Sequence, residues 1–238
     1  MNGKKRKALP DRSPRLLTPA GGITALALLL AGLAGIVLFI AGDAGGMARD
    51  MLRFAPPERT GLPEDLYPAL ARHLTDYLTG AKDSFQYFPE TPAGSAALFH
   101  DYELLHMADC RRLIALDRAV CLGGVFTAAA GLALLPFLGP EDRRRFARGG
   151  LRGLGFCAAA AAALTVWALV NFDGLFVTFH RLAFRNDLWL LDPRTDLLIR
   201  LMPEPLFIRL GLRGLTPALG WLLLLTLGFR IPEWIRKG

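Results

Sequence analysis

Four long apolar runs divide the chain, and the polar stretches between them alternate in length and in charge. The first run, residues 21–42, is uncharged and dominated by Leu, Ala and Ile, close to the ~20 residues that a bilayer-spanning helix needs. Runs of similar length follow at 113–138, 151–171 and 207–229. The second opens with Asp117 and Arg118 in its first turns. The fourth holds Arg209 and Arg213 near its start, where long basic side chains are expected to snorkel to the interface. Pro217 is expected to kink that helix, which neighbouring helices tolerate in a bilayer. A signal peptide is the rival reading of the first run, but the apolar part of such a peptide spans only about 7–15 residues. The pattern predicts an all-α membrane protein with four transmembrane helices.

Charge adds the orientation. Basic residues cluster in the tail (residues 1–20), in the turn 139–150 and at the end (230–238), and the positive-inside rule assigns all three to the cytoplasm. The long connections 43–112 and 172–206 hold most of the acids and are net negative, so both are expected to face outward. The localisation expected is therefore a cytoplasmic membrane, multi-pass, with both termini inside. The net charge of +7 does not point to nucleic acid, because its basic residues are short clusters beside apolar runs. With 53% hydrophobic residues and a positive mean hydropathy, the surroundings expected are membrane lipids. The three cysteines imply no disulfide framework: Cys121 and Cys157 lie within apolar runs and Cys110 stands alone. No CxxC pair and no glycine-rich phosphate loop occurs.

The first outward connection is long enough for a small extracellular cap. Pro63, Glu64 and Asp65 suit the first turn of a helix and Gly80 its end, with Leu66, Leu70, Leu74, Tyr77 and Leu78 forming one apolar face. Residues 84–88 (SFQYF) read as a short strand or an interfacial segment. A second cap helix is expected from near Ser95, continuing through His106 into the second span.

Candidate chemistry concentrates in two stretches. In HDYELLHMADC, Glu103, His106 and Cys110 share one helical face, with Asp109 at its edge. In residues 171–207 one histidine, His180, stands among Phe172, Phe176, Phe179, Phe184, Trp189 and Phe207. Both histidines fall a few residues outside apolar runs, so they are expected at one depth near the outer interface. Imidazole titrates near neutral pH, so one histidine can take a proton while the other, protonated, stabilises an oxyanion or gives a proton back. Glu103, Asp109 or Asp187 is available to orient a ring. The aromatics, with Tyr102, would form a water-poor slot for acyl chains, although an interfacial aromatic belt is the plainer reading of Trp189 and Phe207. Asp192 to Asp196 (DPRTD) reads as a turn and a helix start with Asp192 as cap. His73 lies on the first cap helix with no charged partner in prospect, and His100 is a rim residue. Glu103 and His106 also have the Glu-x-x-His spacing of metal sites, so a metal-dependent hydrolase of lipids or peptides is a second reading, with His180 and Asp109 completing the set. The absence of a second such motif argues against it. A scaffold without catalysis is the third.

The pairing of ELLHMADC with FDGLFVTFHRLAFRNDLWLLDPRTDLLIRLMPEPLF resembles the bacterial lipoprotein intramolecular transacylase (Lit) family. An aliphatic residue is usual in that family where this chain has Cys110. The resemblance covers essentially the whole chain and implies four membrane helices with an extracellular cap. It implies a diacylglyceryl-modified lipoprotein as substrate. The acyl chain on the second glycerol position moves to the α-amino group of the modified cysteine, leaving an N-acyl, S-monoacylglyceryl (lyso) product. The family's two catalytic histidines correspond to His106 and His180, and no cofactor or metal is implied. With no nucleophile elbow in the chain, no covalent acyl-enzyme is expected. Which histidine is the base stays open, with a preference for His180 because its surroundings are richer in aromatics.

Overall fold

The computed structural model describes residues 14–89 and 95–234, so most of the basic tail and its orientation signal lie outside the described residues. Among the described residues every regular element is helical. They are α1 (Pro14–Gly42), α2 (Ala44–Phe54), α3 (Pro57–Thr60), a 3-10 turn (Glu64–Leu66), α4 (Tyr67–Thr79) and α5 (Asp101–Ala133). A second 3-10 turn (Leu135–Phe137), α6 (Pro140–Val170), α7 (Phe172–Ala183), α8 (Leu197–Leu201) and α9 (Glu204–Trp234) complete the order. Four helices, α1, α5, α6 and α9, are long and apolar enough to cross a membrane. Helix α5 has 33 residues. That is about 50 Å of helix against a hydrocarbon core of about 30 Å. Its charged first three turns, residues 101–112, therefore project beyond the apolar part that begins at Leu113.

The chain divides into two compact units. One comprises the described residues within 14–31, 122–163 and 221–234. Here helix backbones meet with no room for side chains: a Cβ on Gly21 would stand 1.9 Å from the Phe146 carbonyl oxygen, and one on Gly149 would stand 1.9 Å from that of Thr18. In lipid, small residues replace the hydrophobic effect as the means of bringing helices together. Trp221 Nε1 donates to the Leu28 carbonyl at 2.9 Å, adding a polar tie between α1 and α9. A Gly149→Ala variant is expected to lose about 2 kcal/mol of stability by overpacking. A thermal melt in detergent reads this, and an unchanged midpoint would contradict the close crossing.

The other unit comprises the described residues within 32–121, together with 164–220. Its core gathers Met47 and Met51 of α2, Tyr67, Leu70, Leu74 and Tyr77 of α4, Phe85, Phe99, Met107 of α5, and Leu197, Leu198 and Leu201 of α8. Helix α4 keeps the apolar face that its spacing implies, and Gly80 ends it in the left-handed region (φ 90°). His73 is buried on that helix, with Nε2 3.0 Å from the Phe85 carbonyl oxygen and Nδ1 3.2 Å from Lys82 Nζ. It fastens the following strap rather than entering any site.

Three local expectations change. Residues 84–88 form no strand; the strap is held by Gln86, whose amide donates to the Phe99 carbonyl and accepts from the Phe99 amide. Helix α5 begins at Asp101, not near Ser95, because Glu103 reaches back to the His100 amide at 2.7 Å. That is the half of a capping box that fixes a helix start. Finally, Asp196 rather than Asp192 holds the cap position of α8, while the Asp192 carboxylate closes its own turn by accepting from the Arg194 amide.

Candidate active site

His106 is carried by the projecting turns of α5, two turns before the apolar part begins. His180 is carried by α7. This helix is a separate one because Asn171 leaves helical geometry (φ −152°) and its side chain accepts from the Gly174 amide, a new N-cap. The chain therefore turns after α6 and aims His180 at α5. The two imidazole centroids lie 6.3 Å apart, and both residues are 8% exposed.

Aromatic rings enclose the pair. Phe176 lies 4.0 Å from the His180 ring, Trp189 5.0 Å, Phe179 5.3 Å and Phe184 5.5 Å. Phe184 also meets His106 edge-on at 5.1 Å, so it bridges the two histidines. Phe172 and Phe207 flank Phe176 at 6.2 and 5.7 Å. His180 Nδ1 lies 2.8 Å from the Phe176 carbonyl oxygen, one turn back. A carbonyl only accepts, so the ring proton is on Nδ1 and Nε2 carries the lone pair.

Burial sets the charge state. It is the first cause lowering the His106 pKa to about 4; the neighbouring His180 lowers it further, and Asp109 opposes both. Burial likewise lowers that of His180, against the Phe176 hydrogen bond. Both rings are therefore neutral at pH 7, and the resting site contains no imidazolium, contrary to the expectation of one protonated partner. The Cys110 thiol lies 3.6 Å from His106 Nε2, and burial pushes its pKa up to about 12. It stays a thiol, not a thiolate nucleophile.

The carboxylates have other duties. Glu103 is fully buried and uses both oxygens on backbone amides, those of His100 (2.7 Å) and Leu198 (2.8 Å). Its Glu-x-x-His spacing is thus a device for joining α5 to α8 rather than a metal pair. Asp109 accepts from Arg112 (2.6 Å) and from Asn186 (2.8 Å), which ties α5 to the loop carrying Trp189. Asp187 is exposed in that loop, and its carbonyl accepts from Leu190. Tyr102 turns away to donate to buried Asp196 at 2.5 Å, and exposed His100 stacks on it. The geometry brings together His106, His180, Phe172, Phe176, Phe179, Phe184 and Trp189; it groups neither Asp187 nor Tyr102 with the two rings.

One charged group was not foreseen as a unit. Arg213 of α9 donates to Asp50 at 2.9 Å and to Asp43, while Arg209 lies 3.5 Å from Asp50. Asp43 caps α2 through the Gly46 amide at 2.8 Å. Arg209 and Arg213 are thus partners of α2 and its cap, and the snorkelling expectation for Arg213 does not hold. The available signal was spacing: Asp43 and Asp50 are two turns apart, and Arg209 and Arg213 one turn.

The sequence profile described as lipoprotein intramolecular transacylase Lit matches residues 22–207. The chain belongs to the Lit family. Among solved structures, the membrane-integral Lit from Bacillus cereus matches with a TM-score of 0.73 at 19% identity, over 96% of this chain and 99% of that one. Two structures of the Bacillus cereus Lit with one histidine replaced, by arginine or by alanine, match with TM-scores of 0.64 and 0.67. These cover 94% of this chain at 20% and 18% identity, and 93% and 95% of those chains. The likeness carries the fold. Comparison with curated proteins finds no match. Family membership makes this chain a membrane-integral lipoprotein transacylase, an acyltransferase that the enclosed histidine pair must be weighed against.

Proposed function

We propose that the chain moves the acyl chain from the second glycerol position of a diacylglyceryl-modified lipoprotein to the free α-amino group of the same molecule, using His180 as base and His106 as its partner. The observation that carries this reading is the enclosure of two neutral imidazoles by aromatic rings on the projecting turns of α5 and on α7. The α-ammonium first loses a proton to the medium, at modest cost because its pKa is near 8. The amine then attacks the ester carbonyl carbon. As the C–N bond forms, His180 Nε2 takes a proton from nitrogen, and it delivers that proton to the glycerol oxygen as the C–O bond breaks. His106 faces the oxyanion of the tetrahedral intermediate. Nothing is hydrolysed, and no acyl-enzyme forms.

Nucleophile and ester share one molecule, so the main task of the aromatic cage is to hold them in a reactive orientation, worth up to about 7–11 kcal/mol. A water-poor slot also withholds the competing nucleophile. The charge pattern, with a basic turn at 139–150 and acidic connections, supports a site at the outer face of the cytoplasmic membrane with both termini inside. Membrane lipids surround the spans, and nucleic acid is no partner.

Tandem mass spectrometry of the N-terminal lipopeptide of a reporter lipoprotein, from a host lacking N-acylation, tests the proposal. One acyl group on nitrogen at unchanged total mass is the expected product. A free amine despite folded protein in the membrane overturns it. The pH dependence is a further prediction. Between pH 6.5 and 8, kcat/KM follows the substrate amine alone. The histidine pKa values are lowered, so loss of the neutral base begins only below about 6.5 as pH falls. A second ionisation at or above 6.5 would contradict the buried neutral pair.

A further inference from the structure

The two histidines differ in what holds their rings. The His180 ring has a carbonyl acceptor, which settles its proton on Nδ1. Among the described residues the His106 ring has no carbonyl partner. Its Nε2 faces the Cys110 sulfur one helical turn further on, at 3.6 Å. Its Nδ1 is buried and has no hydrogen-bond partner among the described residues. A thiol is a weak acceptor, and imidazole nitrogen with its lone pair is a good one, so the favourable direction is S–H to Nε2. That direction leaves the ring proton of His106 on Nδ1.

We infer that Cys110 is a positioning residue that sets the tautomer of His106, so that His106 presents Nδ1–H as a hydrogen-bond donor to the reacting ester oxygen. The inference rests on the proposed function and completes it. With His180 offering a lone pair and His106 offering a proton, the two neutral rings take complementary roles, as acceptor for the amine proton and donor for the oxyanion. A buried donor with no partner in the free protein has an unmet bond that a developing oxyanion fills. Phe184 stands edge-on to His106, with its ring centroid also 5.5 Å from that of His180. Cys110 itself does not touch the substrate; its thiol stays protonated throughout, and no bond to sulfur is made or broken.

A pair of substitutions separates this role from packing. Cys110→Val keeps the shape and removes the S–H donor, whereas Cys110→Ser keeps a donor in a smaller, more polar side chain. The expected result with the full chain is a roughly tenfold fall in kcat for Cys110→Val with KM little changed, and recovery of most of that loss in Cys110→Ser. The second readout is the ¹⁵N spectrum of histidine-labelled protein without substrate. His106 is expected to carry its proton on Nδ1 in the parent and in Cys110→Ser, and to populate the other tautomer in Cys110→Val. Full activity in Cys110→Val with loss in Cys110→Ser would overturn the inference in favour of packing, as would a tautomer that ignores the substitution. A parent chain without transacylation overturns the proposed function instead, and the nitrogen spectrum still decides the Cys110 assignment.

Discussion

His180→Ala is expected to lower transacylation by about 10²–10⁴-fold, the contribution typical of a positioned acid–base group. In the proposed mechanism the ring is the base, with its Nδ1 proton held by the Phe176 carbonyl and its Nε2 lone pair left to take the amine proton. The folded state should survive, because His180 is held by α7 itself and by rings that pack on one another: Phe179 and Phe184 at 6.4 Å, Phe176 and Phe207 at 5.7 Å. His180→Gln, which fills more of the space, guards against a collapsed cage. His106→Ala should also be severe, and the double variant little worse than either single one, since both rings serve one transition state. Single-turnover rates on a lipopeptide substrate, with thermal melts of the same preparations, check this. Multiplicative losses in the double variant would show that the rings act independently.

Arg213→Ala should have the largest effect on stability. Asp50 is 7% exposed and shares Arg213 with Asp43. Removing the guanidinium leaves the two carboxylates with Arg209, 3.5 Å from Asp50 and 44% exposed at its side chain, and the weaker attraction of Arg49 on Asp43 to balance them. Breaking such a buried pair from one side costs about 3 kcal/mol or more. Loss of the remaining charges should restore much of it, so Asp43→Asn and Asp50→Asn added to Arg213→Ala is expected to melt above Arg213→Ala alone. Equal melting of the triple and single variants would mean that the cost comes from packing rather than from unpaired charge. The same cluster joins α2 to α9, so this variant should lose activity in step with folded protein, not through a change in the pH profile.

The parts of the fold that were legible in the sequence are those set by local composition. Each of the four membrane-length helices is a contiguous apolar run, and the α4 face repeats within a single helix, so neither needs knowledge of a distant residue. The nearness of His106 and His180 was also readable, because each histidine stands a fixed few residues outside an apolar run and depth is shared. Long-range pairing was not. Glu103 reads as an active-site carboxylate until its oxygens meet the amides of His100 and of Leu198, 95 positions on. Arg213 reads as an interfacial base until Asp43 and Asp50, more than 160 positions earlier, are beside it. The end of α6 was legible, since the apolar run stops at Asn171, but α7 beyond it was not, because the side-chain cap on Gly174 starts a helix in a stretch that reads as a connection. Charge state was missed because burial, which lowers both histidine pKa values, belongs to the packed cage and not to either segment.

The central claim is that two enclosed histidines move an acyl group within one molecule. The most direct test is purified protein given a synthetic diacyl lipopeptide whose second-position chain is ¹³C-labelled, mixed with an unlabelled lipopeptide of different peptide mass. The expected result is the label on the α-nitrogen of its own peptide, unchanged total mass, and no product from His106→Ala or His180→Ala. Label appearing on the other peptide, or a released labelled fatty acid, would contradict it.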